Sequence, residues 1–352
     1  MRAPRFWFRP PGLMALLLSP LGAIYAAVTA RRLCREQGYR AGIPVLCVGN
    51  LNVGGTGKTP TVLALIARMQ AEGLSPHVVT RGYGGREAGP LRVDLTNHDA
   101  PLVGDEALLI APFAPVWIAR DRAAGVKAAE QAGAELVILD DGFQNPSVEK
   151  DFSLIVVDAS QGFGNGHCLP AGPLREKIPA GLSRADAILS IGESTAQMDF
   201  QQDWQSAISD LPHISGHLHP LQMGMDWQGA RVLAFAGIGN PEKFFASLRH
   251  EGAEIIRAEP LDDHQPFSPA LLARLEADAE ALDAQLVTTE KDAARLPVTF
   301  RPKVLTFVVR LEVPDWGPVD DFITGLQRAT PRAPDPPPSP DATTALPASA
   351  PP

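Results

Sequence analysis

Residues 45 to 59 constrain this chain more than any other stretch. An apolar run, Val45–Val48, breaks into a glycine-rich turn that ends at Gly57, and Lys58, Thr59 and an apolar-periodic segment from Pro60 to Met69 follow. That order predicts a strand, a phosphate-binding loop and a helix, the context in which a P-loop pattern carries meaning. In such a loop the backbone N–H groups of Asn52, Val53, Gly54, Gly55, Thr56 and Gly57 face inward around an anion, and the helix N-terminus adds partial positive charge. Lys58 would reach the β- and γ-phosphates, and the Thr59 hydroxyl would hold Mg²⁺. The pattern departs from the usual one at Asn52, where a first glycine is expected. The plainer alternative is a glycine turn before a core helix, but the flanking strand and helix favour a nucleoside triphosphate site.

At 352 residues, with 45% hydrophobic and 20% charged residues, the chain is long enough for about two globular domains. Its three cysteines, Cys34, Cys47 and Cys168, are widely spaced and form neither a metal knuckle nor a disulfide framework. A net charge of −9 argues against broad nucleic-acid binding.

The charge is unevenly spread. Residues 1 to 40 hold seven arginines against the single acid Glu36, and they flank an uncharged stretch from Pro10 to Ala30. Large apolar residues at 14, 17, 18, 21, 24, 25 and 28 follow a helical stripe, with small residues mostly opposite. A secretory signal would carry the nucleotide loop away from its nucleotide. A spanning helix has the length but is interrupted by Pro20, and a buried core helix is the remaining alternative. A helix lying in the membrane interface, its arginines against anionic lipid, fits best. The catalytic part is then expected on the cytoplasmic side.

Downstream, short apolar strands are predicted at 78–80, 116–119, 136–139 and 154–157, alternating with helices over 105–110 and 122–133. Alternation of this kind predicts an α/β fold with a mostly parallel sheet and helices on both faces. Residues 212–228 read as a hinge or linker. A second α/β series follows, with strands at 231–236, 254–256, 285–288 and 303–309 and helices at 241–252 and 269–281. The expected divisions are a membrane-associating segment (1–40), a P-loop core (41–212), a smaller lobe closing a cleft (213–328) and a disordered proline- and alanine-rich tail (329–352).

Several segments could carry chemistry. The run from Leu136 ends in Asp140 and Asp141, and an acid at such a strand end can hold Mg²⁺ beside a P-loop, although a polar turn reads similarly. Arg81 and Tyr83 sit on a glycine hinge that could clamp a phosphate or a sugar, or be only a flexible loop. Asp105 is either a helix N-cap or a general base, with Glu106 beside it. Arg175, in the long loop from Gly162 to Glu176, could neutralise transferring phosphate charge or simply be solvated. Asp263 and His264 form a compact acid–imidazole group suited to proton transfer, or an ordinary solvated turn. Lys291 and Asp292 are adjacent, which removes support for a guanine-reading element.

Together these segments resemble the tetraacyldisaccharide 4′-kinases of the lipid A pathway in Gram-negative bacteria. The carrying pieces are Val48–Pro60, Arg81–Gly84, Gly104–Glu106, Asp140–Gln144, Leu169–Glu176, Phe235–Pro241, Asp263–His264 and Thr289–Asp292, which span nearly the whole chain. The Asn52 departure and the membrane-seeking helix belong to the resemblance; the proline-rich tail does not. The resemblance implies transfer of the ATP γ-phosphate to the 4′-hydroxyl of an acylated glucosamine disaccharide 1-phosphate. It further implies a monomer on the cytoplasmic face of the inner membrane, held peripherally or monotopically by the N-terminal helix. By the same resemblance Lys58 and Thr59 handle phosphate and Mg²⁺, and Asp140 and Asp141 support the metal with Glu176 beside them. Asp105 and His264 look like the family's base dyad, and Arg81, Tyr83, Glu106, Gln144, Arg175 and Asp263 like its site lining. Two rival readings remain: a membrane-associated P-loop ATPase or metal-delivery factor without a lipid substrate, and a nucleotide-regulated membrane-binding module.

Overall fold

The computed structural model describes residues 3–34, 38–221, 224–263 and 265–328. His264 and the tail from 329 therefore lie outside the described residues. After a 3-10 turn at Arg5–Phe8 and helix α1 (Leu13–Leu33), the chain enters β1 (Val45–Gly49), α2 (Lys58–Ala71) and β2 (Pro76–Thr80). It continues through β3 (Leu91–Arg92), α3 (Ala100–Val103), α4 (Asp105–Ile110), β4 (Val116–Ile118), α5 (Arg122–Gln131) and β5 (Leu136–Asp140). Next come β6 (Phe152–Asp158), α6 (Ile178–Leu182), β7 (Ala187–Ile191), α7 (Ser194–Ile208) and β8 (His213–Pro220). The second series is β9 (Arg231–Ala236), α8 (Pro241–His250), β10 (Glu254–Pro260), α9 (Pro269–Ala281), β11 (Gln285–Thr289), α10 (Glu290–Arg295) and β12 (Val304–Phe307). Strand β13 (Val309–Glu312) and helix α11 (Gly317–Arg328) close the described chain.

Two sheets result. The larger has nine strands in the order β13-β8-β7-β6-β1-β5-β2-β4-β3, parallel except where β13 meets β8 and β3 meets β4. Strands β1, β2, β5, β6 and β7 are buried along their whole length, as predominantly apolar runs covered on both faces should be. Helix α2 covers one face with Val62, Leu65, Ile66 and Met69, at the spacing of an amphipathic helix. After β5 the chain crosses β1 to build β6 on its other side, so the loops following β1 and β5 open at a switch point, where doubly wound sheets bind ligands. The smaller sheet, β10-β9-β11-β12, is parallel throughout and has its own cores around Phe245 and Leu275.

The expected division at residue 212 is corrected. The segment read as a linker is strand β8, which pairs in parallel with β7, and the chain returns to the large sheet through β13 and α11. Ile214, Leu311, Trp316, Val319 and Ile323 are buried in the same core as Leu46 and Ile138. The smaller lobe is thus an insertion between β8 and β13, and its exit and return are tied by the Leu221 N–H donating to the Val308 carbonyl at 2.9 Å.

Helix α1 packs through its small face. Ala15, Gly22, Ala26 and Thr29 are buried, while Leu13, Leu17, Leu21 and Ile24 are between 53% and 72% exposed. A Cβ at Gly22 would come within 2.8 Å of the Cys168 carbonyl oxygen, so only glycine permits this approach. Pro20 cannot donate to the Leu16 carbonyl, and the Ser19 hydroxyl does so at 2.9 Å, which keeps the helix continuous across the proline.

Candidate active site

The glycine loop closes onto α2 as the sequence predicts. Gly57 is its left-handed N-cap at φ +96°, and a Cβ there would strike Ile191 Cδ1 at 2.6 Å. The buried Asn50 amide donates to Thr56 Oγ1 at 3.1 Å and to the Gly54 carbonyl at 3.4 Å, bracing the loop from inside. Lys58 and Thr59 fall in the first turn of α2. The Val53 N–H, expected to face the anion, is corrected to a supporting role, and the side chain of Asn52 adds a second brace. The Asn52 side chain donates to the Gly162 carbonyl at 2.8 Å, and the Val53 N–H to the Pro173 carbonyl at 2.8 Å. These bonds lay the glycine- and proline-rich loop against the P-loop. The Arg175 N–H donates to the Leu51 carbonyl at 2.7 Å, which aims that side chain at the site.

At the end of β5, Asp141 adopts φ +51°, a left-handed conformation that Asp tolerates better than most non-glycine residues. Lys58 Nζ stands 3.7 Å from its Oδ1, and Arg175 donates to the same oxygen at 2.9 Å. Burial pushes the Asp141 carboxyl up, but Lys58 and Arg175 outweigh it and hold the group below its ordinary range. Asp140 behaves oppositely: it is buried, and burial together with the Glu106 and Asp141 carboxylates pushes it up to about 7 against the pull of Lys58. The Thr80 hydroxyl donates to its Oδ2 at 3.1 Å. Gln144 bridges the layers, donating to the Asn50 carbonyl at 2.8 Å and to Glu176 at 3.0 Å. Glu176, expected beside the metal, is a correction. Its Oε1 accepts from Gln144 and its Oε2 from Arg184, so it braces the site rather than offering a free carboxylate.

The third group comes from α4 and the smaller lobe. Gly104, not Asp105, is the N-cap of α4, which corrects the capping alternative. Asp105 is buried, its Oδ1 accepting the Glu106 N–H at 3.0 Å. Lys291 Nζ approaches Asp105 Oδ2 at 3.9 Å and Glu106 Oε1 at 3.3 Å, and Arg295 Nε approaches Asp105 Oδ2 at 3.7 Å. A Cβ at Gly239 would be 4.0 Å from both Asp263 Oδ2 and the Gly55 amide nitrogen, so Asp263 and the P-loop border one small space.

A cavity of about 390 Å³ opens beside Asp141 and Gln144. Arg81, Arg120 and Arg122 line it from the ends of the large sheet, Arg175 from the glycine- and proline-rich loop, and Tyr25, Thr29 and Arg32 from α1. Five guanidiniums against one carboxylate make an anion-attracting basin. Burial pulls Arg122 down while Asp140 and Asp141 oppose that pull. The sequence reading missed Arg32, Arg120 and Arg122. The last two follow strand β4 as Arg81 follows β2, and parallel strands deliver such residues to one sheet edge. Tyr83 is exposed on the neighbouring loop. A larger hollow of about 720 Å³ lies between residues 8–11 and α7, and of the site residues above only Gly162 lines it.

Among the described residues no group of three or more His, Cys, Asp or Glu forms a metal cage. Mg²⁺ needs no such cage, because it takes one or two carboxylates and completes its shell with phosphate oxygens and water. Burial first, and then the Glu106 and Asp141 carboxylates, raise Asp140 to about 7, and a divalent cation beside these acids would favour its ionised form. Asp140 and Asp141 therefore fit that ion.

A P-loop opening at a switch point, with acids and arginines converging on it, defines a nucleotide-dependent phosphoryl-transfer protein. Residues 14–327 match the family described as Tetraacyldisaccharide-1-P 4'-kinase, and the chain belongs to that family. It is 58% identical over 318 residues to the tetraacyldisaccharide 4'-kinase of Dinoroseobacter shibae, covering 90% of this chain and 94% of that protein. It is 54% identical to the counterpart from Jannaschia sp., covering 92% and 98%. LpxK from Aquifex aeolicus, solved in complex with ATP, superposes with a TM-score of 0.72 at 22% identity, covering 89% of this chain and 99% of that one, and so shares the fold.

Proposed function

We propose that this chain phosphorylates the 4′-hydroxyl of a tetraacyldisaccharide 1-phosphate with ATP, at a membrane surface, in lipid A biosynthesis. The observation that carries this reading is the shared cavity. Tyr25, Thr29 and Arg32 of the apolar helix and Asp141 of the nucleotide site line one basin. An acceptor with acyl chains in a bilayer and a phosphorylated sugar head would meet both chemistries there. The family and its named relatives support the same substrate.

The γ-phosphate of ATP would rest on the amides from Gly54 to Lys58 and on the Lys58 ammonium, with Thr59, Asp140 and Asp141 holding Mg²⁺. When bound, that ion neutralises charge on the phosphate oxygens. Asp105 takes the proton of the sugar hydroxyl as its oxygen forms the new bond to phosphorus and the bond to ADP breaks. A placed base of this kind contributes roughly 10²–10⁴-fold. Arg175 supplies positive charge beside the transferring group, and the arginines of the basin suit the sugar's own phosphate. Asp263 and His264 would complete the proton relay from the smaller lobe. The exposed apolar face of α1, with flanking arginines, suits interfacial binding on the cytoplasmic side, where ATP is found. A monomer suffices, since every group named belongs to one chain.

The test incubates the purified chain with γ-labelled ATP, Mg²⁺ and the disaccharide in detergent micelles. Label is expected on the lipid. Label released only as free phosphate would favour the ATPase reading and eliminate this one.

A further inference from the structure

The segment from Thr288 to Asp292 fits no guanine-reading role, yet every side chain in it is engaged. The Thr288 hydroxyl donates to the Phe235 carbonyl at 2.8 Å, and Thr289 caps α10. Glu290 pairs with Arg310. Asp292, fully buried, accepts the Gly237 N–H at 3.0 Å and pairs with Arg295, which fixes the turn leading to Gly239 beside the P-loop. Glu290 and Lys291 both reach out of their lobe, Glu290 to Arg310 of β13 and Lys291 to α4 beside the phosphate loop.

We propose that Lys291 is a positioning residue for phosphoryl transfer: its ammonium joins Asp105 and Glu106 across the lobe interface and sets the general base in place. The inference rests on Asp105 being that base. Three carboxylates, Asp105, Glu106 and Asp263, surround Lys291 from two lobes, and their mutual repulsion would push the lobes apart without positive charge between them. Lys291 supplies it to Asp105 and Glu106, and Arg295 adds to it at Asp105. Burial works against its charge, and Glu106, Asp105 and Asp263 outweigh burial to raise it above its ordinary value. At 3.9 Å and 3.7 Å, Lys291 and Arg295 stand outside hydrogen-bonding distance of Asp105 Oδ2. They compensate the carboxylate's charge from a distance rather than by direct hydrogen bonds to that oxygen. The two cations differ in their partners. Arg295 is held by the Gln265 carbonyl at 3.0 Å, the Gly237 carbonyl at 3.3 Å and the face of Phe267, all in its own lobe, whereas Lys291 pairs with Glu106 and Asp105 of the first lobe. Separation of the lobes would therefore strip Lys291 from the base and leave Arg295 with its own lobe. Base assembly is thereby coupled to closure, and a chain with open lobes does not spend ATP on water.

The experiment compares Lys291→Met, Lys291→Gln, Lys291→Arg, Asp105→Asn and the Lys291→Met/Asp105→Asn double variant in the full chain, with thermal melting of each. Carrying both Met and Gln keeps the measurement standing if one substitution folds poorly. The neutral variants are expected to lose about 30-fold or more in kcat, with KM for ATP within about twofold, because the interaction acts on the base and not on nucleotide binding. Lys291→Arg keeps the charge and recovers at least a tenth of the wild-type kcat. In the double variant the loss should match that of Asp105→Asn alone within about threefold, since the lysine acts through that carboxylate. A wild-type kcat in both neutral variants beside a disabled Asp105→Asn would overturn this inference alone. Multiplicative losses, or an arginine variant no better than methionine, would do the same. Asp105→Asn at the wild-type rate would remove the base assignment and this inference with it.

Discussion

Lys58 Nζ and Asp141 Oδ1 stand 3.7 Å apart, joining the first residue of the P-loop helix to the turn that ends the neighbouring strand. The ammonium is largely enclosed, with 13% of its side chain exposed, and the carboxylate is shared with Arg175. This pair keeps the lysine extended toward the space a phosphate would fill, and keeps Asp141 ionised.

Lys58→Met should remove both effects. Methionine keeps the stem's packing while deleting the charge that stabilises phosphoryl oxygens in the transition state. We expect kcat to fall by about 10²-fold or more, in line with loss of a preorganised electrostatic donor. The melting temperature should change little, because Arg175 still compensates Asp141. Steady-state kinetics beside calorimetry checks both parts, and a variant within twofold of wild-type kcat would contradict the assignment.

Asp140 predicts a pH dependence of definite sign. Its carboxyl is pushed from the ordinary 3.8 to about 7 by burial, then by Glu106 and Asp141. The folded chain thus holds a proton that the unfolded chain has released between those values, and the stability of the metal-free protein falls as pH rises through that window. Asp140→Asn should be more stable than wild type at pH 8 without metal, with the gap narrowing toward pH 5. Because Mg²⁺ selects the ionised carboxylate, its stabilising shift in wild type should be larger at pH 8 than at pH 6, and largely absent in Asp140→Asn. Thermal denaturation with and without Mg²⁺ across this range decides it.

Much of this arrangement was legible because it is local. Strand-to-loop junctions put Lys58, Asp140 and Asp141 into recognisable runs, and strands 231–236 and helix 269–281 were read with the bounds the structure gives. Legibility failed where the determining contact is distant. Strand β8 alternates buried Ile214 with exposed or half-exposed histidines near a sheet edge, so His213–Pro220 resembled a hinge. A β-prone, mostly apolar run over 303–309 concealed Val308, the single residue at which the chain leaves one sheet for the other. Asn52 and Glu176 have residue types that suit phosphate and metal, and only the folded loop shows their partners to be Gly162, Gln144 and Arg184. Lys291 sits next to an apparent disqualification, and its role exists only between lobes.

The return of the chain to the large sheet gives a stability test. Ile323 and Val319 of α11 are fully buried against the core of the P-loop lobe, and Asp320 beside them pairs with Arg68 of α2. Truncating Ile323 to alanine deletes buried methylene groups and leaves a cavity, which costs about 2–5 kcal/mol. Chemical denaturation should show that loss in the transition that unfolds the P-loop lobe. Were α11 part of the smaller lobe, nucleotide binding would protect against the loss no better than in wild type at equal occupancy, and proteolysis would open residues 231–307 first.

The outward face of α1 supplies the last prediction. Leu17, Leu21 and Ile24 are more than half exposed, while the helix holds to the body through Gly22, Ala26 and Thr29 on its opposite side. Replacing Leu17, Leu21 and Ile24 together with glutamate should leave the melting temperature nearly unchanged, since exposed positions contribute little to folding. Association with vesicles containing anionic lipid should fall by about tenfold or more, because three buried aliphatic groups are lost and three negative charges are placed against the headgroups. Gly22→Val should do the reverse. It forces a methyl-bearing carbon toward the Cys168 carbonyl, 2.8 Å from the Cβ position, and so loosens the helix from the body while leaving its apolar face intact. Sedimentation with vesicles, read beside thermal melting for both variants, separates the two faces, and glutamate variants that still sediment fully would show that α1 does not hold the chain to lipid.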